Sequence, residues 1–217
     1  MSKPTLETAL HLLHSCESGA LATHSQQVPG YPFATVLPYA PTALHEPLFL
    51  MSGLAEHARN LKADRRASLL VAAPGTQDVL ESARMTMVGE IEFLDRSEAL
   101  AARYLRYRPE AESYLALGDM FFCVLRPRRI RFIGGFARMG WLDFAETPPA
   151  LTITPEREAS VIASAKIPPA VLLLGIDAYG IDMHRAGHRE RISFSTPAGD
   201  DLEACVATAL ASIRGRA

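Results

Sequence analysis

The sequence predicts an α+β, mainly β fold: a small barrel with flanking helices, followed by a small α/β module. Short apolar runs bounded by turn residues dominate the first two thirds of the chain, and such runs are typical of strands. Several short strands of this kind favour a barrel. A dinucleotide-binding fold is excluded because no GxGxxG motif follows a strand, and no P-loop occurs. The six strand-like runs are residues 19–25, 32–39, 47–52, 68–73, 84–94 and the pair 120–125 and 128–133.

Residues 84–94 carry the clearest strand pattern. Apolar side chains alternate there with polar ones, which indicates a strand with one buried face. Pro127 divides the last run, and because proline cannot donate to a sheet ladder it predicts a bulge or kink instead of a continuous central strand.

Helical spacing is confined to short segments. Residues 5–16 predict a helix that ends before Gly19, and His11 and His14 share one side of it as predicted surface histidines. Asp95 or Ser97 can cap a helix over residues 97–106, and a second helical piece covers residues 109–117.

Composition limits the possible functions. The chain has 217 residues, 48% of them hydrophobic, and a formal charge of −2, so no bulk field attracts nucleic acid or anionic lipid. Three widely separated cysteines form no disulfide framework, which suits a reducing compartment. The first residues lack the plan of a signal peptide, and no apolar run reaches membrane-spanning length. We therefore expect a soluble cytoplasmic protein with no nucleic-acid or membrane partner.

A proline-containing segment at residues 147–154 divides the chain into predicted domains 1–146 and 147–217. The second domain should contain a helix from Thr154, three short strands and a closing helix over residues 201–214. His184 and His188 flank a predicted turn at a spacing seen in metal sites, but no third ligand lies nearby, so we expect solvated turn histidines and no metal.

Residues 47–73 read as strand, short helix and strand. Ser52 and Gly53 lie where the first strand gives way to the helix, and free N–H groups at such a junction favour a phosphate. The alternative is a solvated surface helix in which Glu56 and Arg59 form an ordinary ion pair. The spacing alone leaves both open.

Several motifs together resemble a known superfamily. They are LMSGLAEHARNLKADRRASLLV at residues 50–71, ARMTMVGE at 83–90 and the Gly134-Gly135-Phe136 segment. These motifs resemble the FMN-binding split-barrel superfamily of pyridoxamine 5'-phosphate oxidase, and most closely its haem-utilisation branch. The resemblance implies a six-stranded FMN-binding split β-barrel that forms a homodimer and acts on a small-molecule substrate, most simply as an FMN-dependent oxidoreductase.

The resemblance also implies which residues contact FMN. Ser52, His57 and Asn60, with Arg59, would hold the phosphate and ribityl chain, and Arg84 would reach the polar edge of the ring. The remaining implied contacts, at the ring or in the loop near it, are Thr35, Val36, Met51 and Gly135, with Arg138 and Trp141 as further candidates.

Two departures from the superfamily pattern matter. Glu56-His57 stands where pyridoxamine phosphate oxidases have an Arg-Lys pair, which argues against pyridoxamine phosphate as substrate. Residues 158–167 lack the histidine segment that relatives carry in the first helix of the C-terminal module.

Three functional hypotheses follow. The first is an FMN-dependent redox protein. The second is a haem-binding or haem-degrading protein, which needs an axial ligand such as His24, His45, His184 or His188. The third is a non-enzymatic flavin-binding or interaction domain. No residue stands out as a catalytic acid, base or nucleophile.

Overall fold

The structure, a computed structural model, describes residues 4–74, 78, 80–134, 138–144 and 152–214. The chain divides into two compact units, Met1–Glu146 and Thr147–Ala217. In the first unit the helices are α1 (Leu6–Ser15), α2 (Glu56–Ala63), α3 (Glu98–Tyr107) and α4 (Glu112–Leu115), the last preceded by a 3-10 turn at Pro109–Ala111.

The first unit is built on one antiparallel, curled half-barrel sheet. Its strands are β1 (Ser18–His24), β2 (Pro32–Pro38), β3 (Ala40–Pro41), β4 (Pro47–Ser52), β5 (Arg66–Ala72), β6 (Ala83–Leu94), β7 (Met120–Gly134) and β8 (Met139–Asp143). The strand order is β2-β1-β5-β6-β7-β4-β3. The strand β4 pairs with residues 120–124 of β7, and β8 pairs with residues 129–133 of the same strand.

The described sheet therefore has eight strands where the sequence predicted six. The two additional strands are β3, which is too short to show an alternating pattern, and β8, which follows the glycine pair at Gly134. The predicted alternation of β6 is confirmed: Met85, Met87 and Ile91 are buried in the core.

One face of this sheet holds the hydrophobic core. Leu21, Leu69 and Phe132 are among the buried side chains that cluster there. Leu13 of α1 and Leu61 of α2 belong to the same cluster, so these helices cover this face. Burial of apolar surface of this kind is the main driving force for folding.

The longest strand pair, β6 with β7, contains a bulge. Val88 lies opposite Arg129, but the next residue, Gly89, lies opposite Pro127, so Arg128 is the extra residue of β7. The bulge predicted at Pro127 is confirmed, whereas the predicted break is wrong, because β7 continues through it and lies inside the sheet. Proline is tolerated there because a bulge interrupts the ladder that would need its N–H.

Capping residues account for the starts of α1 and α3. Thr5 accepts a hydrogen bond from the backbone N–H of Thr8 at α1, and Ser97, not Asp95, accepts one from Leu100 N at α3. Such side-chain oxygens satisfy amides that the first turn leaves unpaired. The helix α2 begins without a side-chain cap.

The second unit contains a three-stranded antiparallel sheet and two helices. The strands are β9 (Val171–Asp177), β10 (Gly180–Arg185) and β11 (His188–Ser193), in the order β11-β10-β9, and the helices are α5 (Pro155–Ser164) and α6 (Leu202–Arg214). Ile181 and Met183 pack against Val206 and Leu210 in its core. Within the described ranges, no helix of either unit is long and apolar enough to cross a bilayer.

Replacement of Gly89 tests the bulge. A Cβ atom at Gly89 would lie 2.0 Å from the carbonyl oxygen of Arg126, a backbone atom that cannot move aside alone. We expect Gly89→Ala to cost roughly 2 kcal/mol or more, in the upper range of overpacking. For a chain of this size that lowers the midpoint of thermal unfolding by about 4 °C or more.

The matched control is Gly118→Ala, because a Cβ at Gly118 meets nothing within 4 Å. It should unfold within about 0.5 kcal/mol of the parent protein, as neutral surface changes do. Equal midpoints for the two variants would contradict the bulge geometry.

Candidate functional site

The face of the sheet opposite the core carries a row of exposed side chains. Directly paired residues of antiparallel strands project to the same face. Following the register across the strands gives the row that we call the open sheet face: Val36, Ala20, Leu70, Thr86, Arg131 and Trp141.

Large apolar side chains on this face are unusually exposed. Val36 exposes 69% of its surface, Leu70 43% and Trp141 49%. Met139 lies one row further along β8 and exposes 52%. Single exposed apolar residues are ordinary, but a contiguous group marks a ligand or partner surface.

Arginines stand among these apolar side chains. Arg131 is in the row itself, and Arg129 lies two residues away on the same face of β7. The Arg129 guanidinium lies 5.2 Å from the centre of the Trp141 ring and its Nε lies 3.0 Å from Asp143. A face that combines apolar surface with guanidinium groups fits a flat, apolar molecule that carries carboxylates.

A shallow cavity lies at the end of β1. Its walls include His24, Ala22, Pro32, Arg66 and Ser68. His24 points to the same side as Ala22 because residues two apart in a strand share a face. This cavity is therefore continuous with the open sheet face.

At the predicted phosphate site, the protein itself already occupies the polar groups. The Ser52 hydroxyl donates to the Asp119 carboxylate and accepts from Leu54 N at 3.1 Å. The Gly53 N–H donates to the Asp119 carbonyl oxygen at 2.9 Å. A carboxylate beside Ser52 repels a phosphate dianion.

Asn60 is wholly buried and connects α2 to the β1–β2 hairpin. Its Nδ2 donates to the Thr23 hydroxyl at 3.0 Å, and its Oδ1 accepts from the backbone N–H of Gln26 at 2.9 Å. His57 is half-buried, and burial lowers its pKa from the usual 6.5. Arg59 is exposed.

The other predicted FMN contacts lie on both sides of the sheet. Val36 and Arg84 project to the exposed side, and Arg84 Nη1 donates to the Ser82 carbonyl oxygen at 3.2 Å. Thr35 lies opposite buried Leu21, on the core side.

Met51 is 1% exposed, with its sulfur 3.5 Å from Cys123 Sγ. Gly135 and Phe136 lie outside the described residues. The structure thus brings Val36 and Arg84 onto one surface but separates them from Ser52, His57 and Asn60, and the assignment of these residues to FMN stays a prediction.

The histidines differ in their surroundings. His14 is fully buried, so its prediction as a surface histidine is wrong; the buried face of α1 extends to this residue. Its Nε2 lies 3.1 Å from Nδ1 of His45, which is also buried. His184 and His188 are exposed at the ends of β10 and β11, on either side of their turn.

Leu70, Arg129 and Arg131 belong to the site but were not among the predicted binding residues. Each lies on a strand that the sequence did predict. The sequence signal was a large apolar residue, Leu70, on the polar side of β5. Its significance depends on the other residues of the open sheet face, which come from five other strands.

Fold and site together define a mixed α+β half-barrel protein with an open, apolar and basic sheet face. Comparison with protein families identifies its class, because residues 3–147 match the family described as CREG, beta-barrel. The chain belongs to that family.

Similar proteins include several with haem in their names. The chain is 31% identical over 129 residues to the non-canonical heme oxygenase HOZ, chloroplastic, of Arabidopsis thaliana, which covers 58% of this chain but 39% of that protein. A heme binding protein from Mycobacterium smegmatis aligns over 100% of both chains with 27% identity and a TM-score of 0.62. Atu2129 of Agrobacterium tumefaciens, a protein of unknown function, aligns over 94% of this chain and 92% of its own, with 27% identity and a TM-score of 0.69.

These similarities support the β-barrel and haem-utilisation parts of the predicted relationship. The flavin-binding part stays a prediction, because the names of these relatives refer to haem or to no ligand.

Replacement of Asn60 separates a structural from a ligand-binding role. Asn60→Ala removes both hydrogen bonds and leaves the Gln26 N–H without its acceptor. We expect a loss of about 1–3 kcal/mol in the free energy of unfolding with no ligand present, measured by urea denaturation. Arg59→Ala, one residue away and exposed, should change it by less than about 0.5 kcal/mol. If Asn60→Ala is equally neutral but weakens FMN binding, Asn60 is a ligand residue instead.

Proposed function

We propose that this protein binds haem on the open sheet face of its first unit. The observation that carries the proposal is the contiguous exposed apolar surface of Val36 and Leu70 bordered by Arg131. The similarity to a heme binding protein over the full chain supports haem as the ligand.

The residues on this face fit the chemistry of haem, which is a large apolar plate with two carboxylates at one edge. The four strands β2, β1, β5 and β6 lie side by side, so they offer a surface roughly 14 Å wide. Its centre is lined by small residues, Ala20 and Ala22, so a plate can approach the sheet closely. Arg131 stands on the adjacent strand, where it can pair with a carboxylate, whereas Arg129 beside it is already paired with Asp143.

FMN fits the described residues less well. Its phosphate needs several donors, but the Ser52 hydroxyl already donates to Asp119, and both polar atoms of Asn60 are engaged. The FMN-dependent redox hypothesis therefore becomes an alternative outcome of the binding experiment below.

Haem breakdown is a further part of this proposal, supported by the heme oxygenase relative. That relative is matched over 39% of its length, so its activity is proposed here and not transferred. Bound haem would supply the iron and oxygen chemistry. The open-face residues would bind the ring, orient it and exclude water from one of its sides.

We also propose that the protein forms a homodimer through the part of the open sheet face that haem leaves uncovered. Trp141 and Met139 lie on β8, which three strands separate from β1, and both remain half exposed. Exposed aromatic and methionine side chains beside arginine are typical of interface centres. A second copy would shield this surface from water.

Titration with haemin tests the binding proposal. We expect the parent protein to give a Soret band that saturates at one haem per chain and persists through gel filtration. Leu70→Glu places a charge under the ring, and it should weaken haemin binding about tenfold or more, because covering a charge without a partner costs at least 1.4 kcal/mol.

Leu54→Glu is the matched control, because Leu54 is exposed but lies at the end of β4, beside the predicted phosphate site. It should bind haemin as the parent protein does. A parallel titration with FMN that gives tight binding, weakened by Leu54→Glu and not by Leu70→Glu, would contradict the proposal and favour the flavin hypothesis.

Sedimentation analysis tests the homodimer. The parent protein should sediment as a dimer at micromolar concentration, and Trp141→Glu should shift it to monomer because like charges would meet across the interface. Leu44→Glu, at a loop residue of similar exposure, should leave the dimer intact. A monomeric parent protein would refute this part of the proposal.

A further inference from the structure

We infer that His24 is the protein ligand of the haem iron, an inference that rests on the proposed haem-binding function. It specifies which of the candidate histidines meets the iron. The case depends on which face of the sheet each histidine occupies.

His24 is the last residue of β1 and lies on the exposed side of the sheet. The burial of β1 alternates, with Gly19, Leu21 and Thr23 buried, so residues 18, 20, 22 and 24 share the open side. His24 is exposed. An imidazole in this position projects outward at the edge of the proposed haem surface.

The surroundings of His24 leave room for a plate above the imidazole. Pro32 faces it directly on β2, and the neighbouring positions toward the sheet centre are Ala22, Ala34 and Ser68. These side chains are short, and together with Arg66 most of them line the cavity beside His24. A ring whose iron binds His24 covers Ala22, Ala34 and Ser68, and its edge extends toward Ala20, the residue that Val36 and Leu70 flank.

The Asp64 carboxylate lies near His24. Arg66 is the main cause that lowers the pKa of this carboxyl group, and His24 makes the smallest contribution in the same direction. The Asp64 side chain is held in place by Arg66, whose Nη2 lies 2.5 Å from Asp64 Oδ2. Metal-ligating histidines commonly have a carboxylate near their second ring nitrogen, which orients the ring.

The other histidines are in less suitable places. The chain has seven histidines, all within the described ranges. His11 and His14 belong to α1, which covers the core face, and His45 is buried with its Nδ1 beside His14. His57 lies on α2, whose Asn60 bonds to the core-side residue Thr23. His184 and His188 belong to the second unit, whereas every residue of the open sheet face belongs to the first.

The test uses the full-length chain and haemin. We compare the optical and resonance Raman spectra of the haem complexes of the parent protein, His24→Ala and His188→Ala. The parent protein and His188→Ala should show the same histidine-ligated spectrum, including an iron–histidine vibration in the ferrous state. His24→Ala should lose that vibration and shift its Soret band. Its affinity for haemin should fall by more than roughly tenfold, because loss of residues that only support a metal ligand already costs about that much.

Imidazole supplies the second measurement. Free imidazole added to His24→Ala should restore the parent Soret band if the variant lacks only the iron ligand. Because His24 is exposed, the variant should keep the parent's melting temperature, which checks that the fold is unchanged.

The outcomes separate the inference from the proposed function. A parent complex whose spectrum is unchanged in His24→Ala would overturn the inference and leave haem binding standing. A parent protein that gives no Soret band would overturn both. Loss of the iron–histidine vibration in His188→Ala in place of His24→Ala would assign the ligand to the second unit.

Discussion

The bulge between β6 and β7 is the constraint on which the two-faced sheet depends. In the first half of β7, Cys123 and Leu125 point into the core, and in the second half Ile130 and Phe132 do so. Odd-numbered residues face inward before the bulge and even-numbered residues after it, because the extra residue Arg128 reverses the phase of the alternation. Without it, one half of β7 would turn its apolar residues to the solvent.

The same reversal determines what the opposite face carries. After the bulge, Arg129 and Arg131 point away from the core, next to Trp141 on β8. Helices α1 and α2 pack on the core side, so they leave the arginine-bearing face exposed. Helix α3 covers part of the opposite face, where Tyr104 packs on Phe122, but Val36, Leu70 and Trp141 stay exposed. A contiguous exposed apolar surface of this kind marks a ligand or partner site, and this links the fold to the proposed haem and homodimer surfaces.

Local sequence patterns predicted much of this fold. The strands with clear alternation or compact apolar runs, the capped start of α3 and the elements of the second unit all follow from residues close in sequence. The strand β8 was missed because its five residues follow a glycine pair that suggested a loop. The burial of His14 was missed because the apolar face of α1 is wider than its spacing indicates.

The site was harder to predict because it depends on how the strands pair and not on any local sequence pattern. The open sheet face combines single residues from six strands, and only the pairing of those strands places Val36, Leu70 and Arg131 in one row. In the other direction, Asn60 carries an amide donor that suits a phosphate, but this group donates to the Thr23 hydroxyl, and the amide oxygen accepts from the Gln26 N–H. Sequence spacing alone cannot distinguish a hydrogen-bond donor that can bind a ligand from one that links a hairpin to a helix.

The most direct test of the central claim is to map the surface that haemin covers, using a photoactivated carbene label detected by mass spectrometry. The account predicts that haemin reduces labelling of Val36 and Leu70 while Leu54 and Tyr114, exposed elsewhere on the same unit, keep theirs. Protection confined to residues 52–60, with Val36 and Leu70 labelled as before, would contradict it.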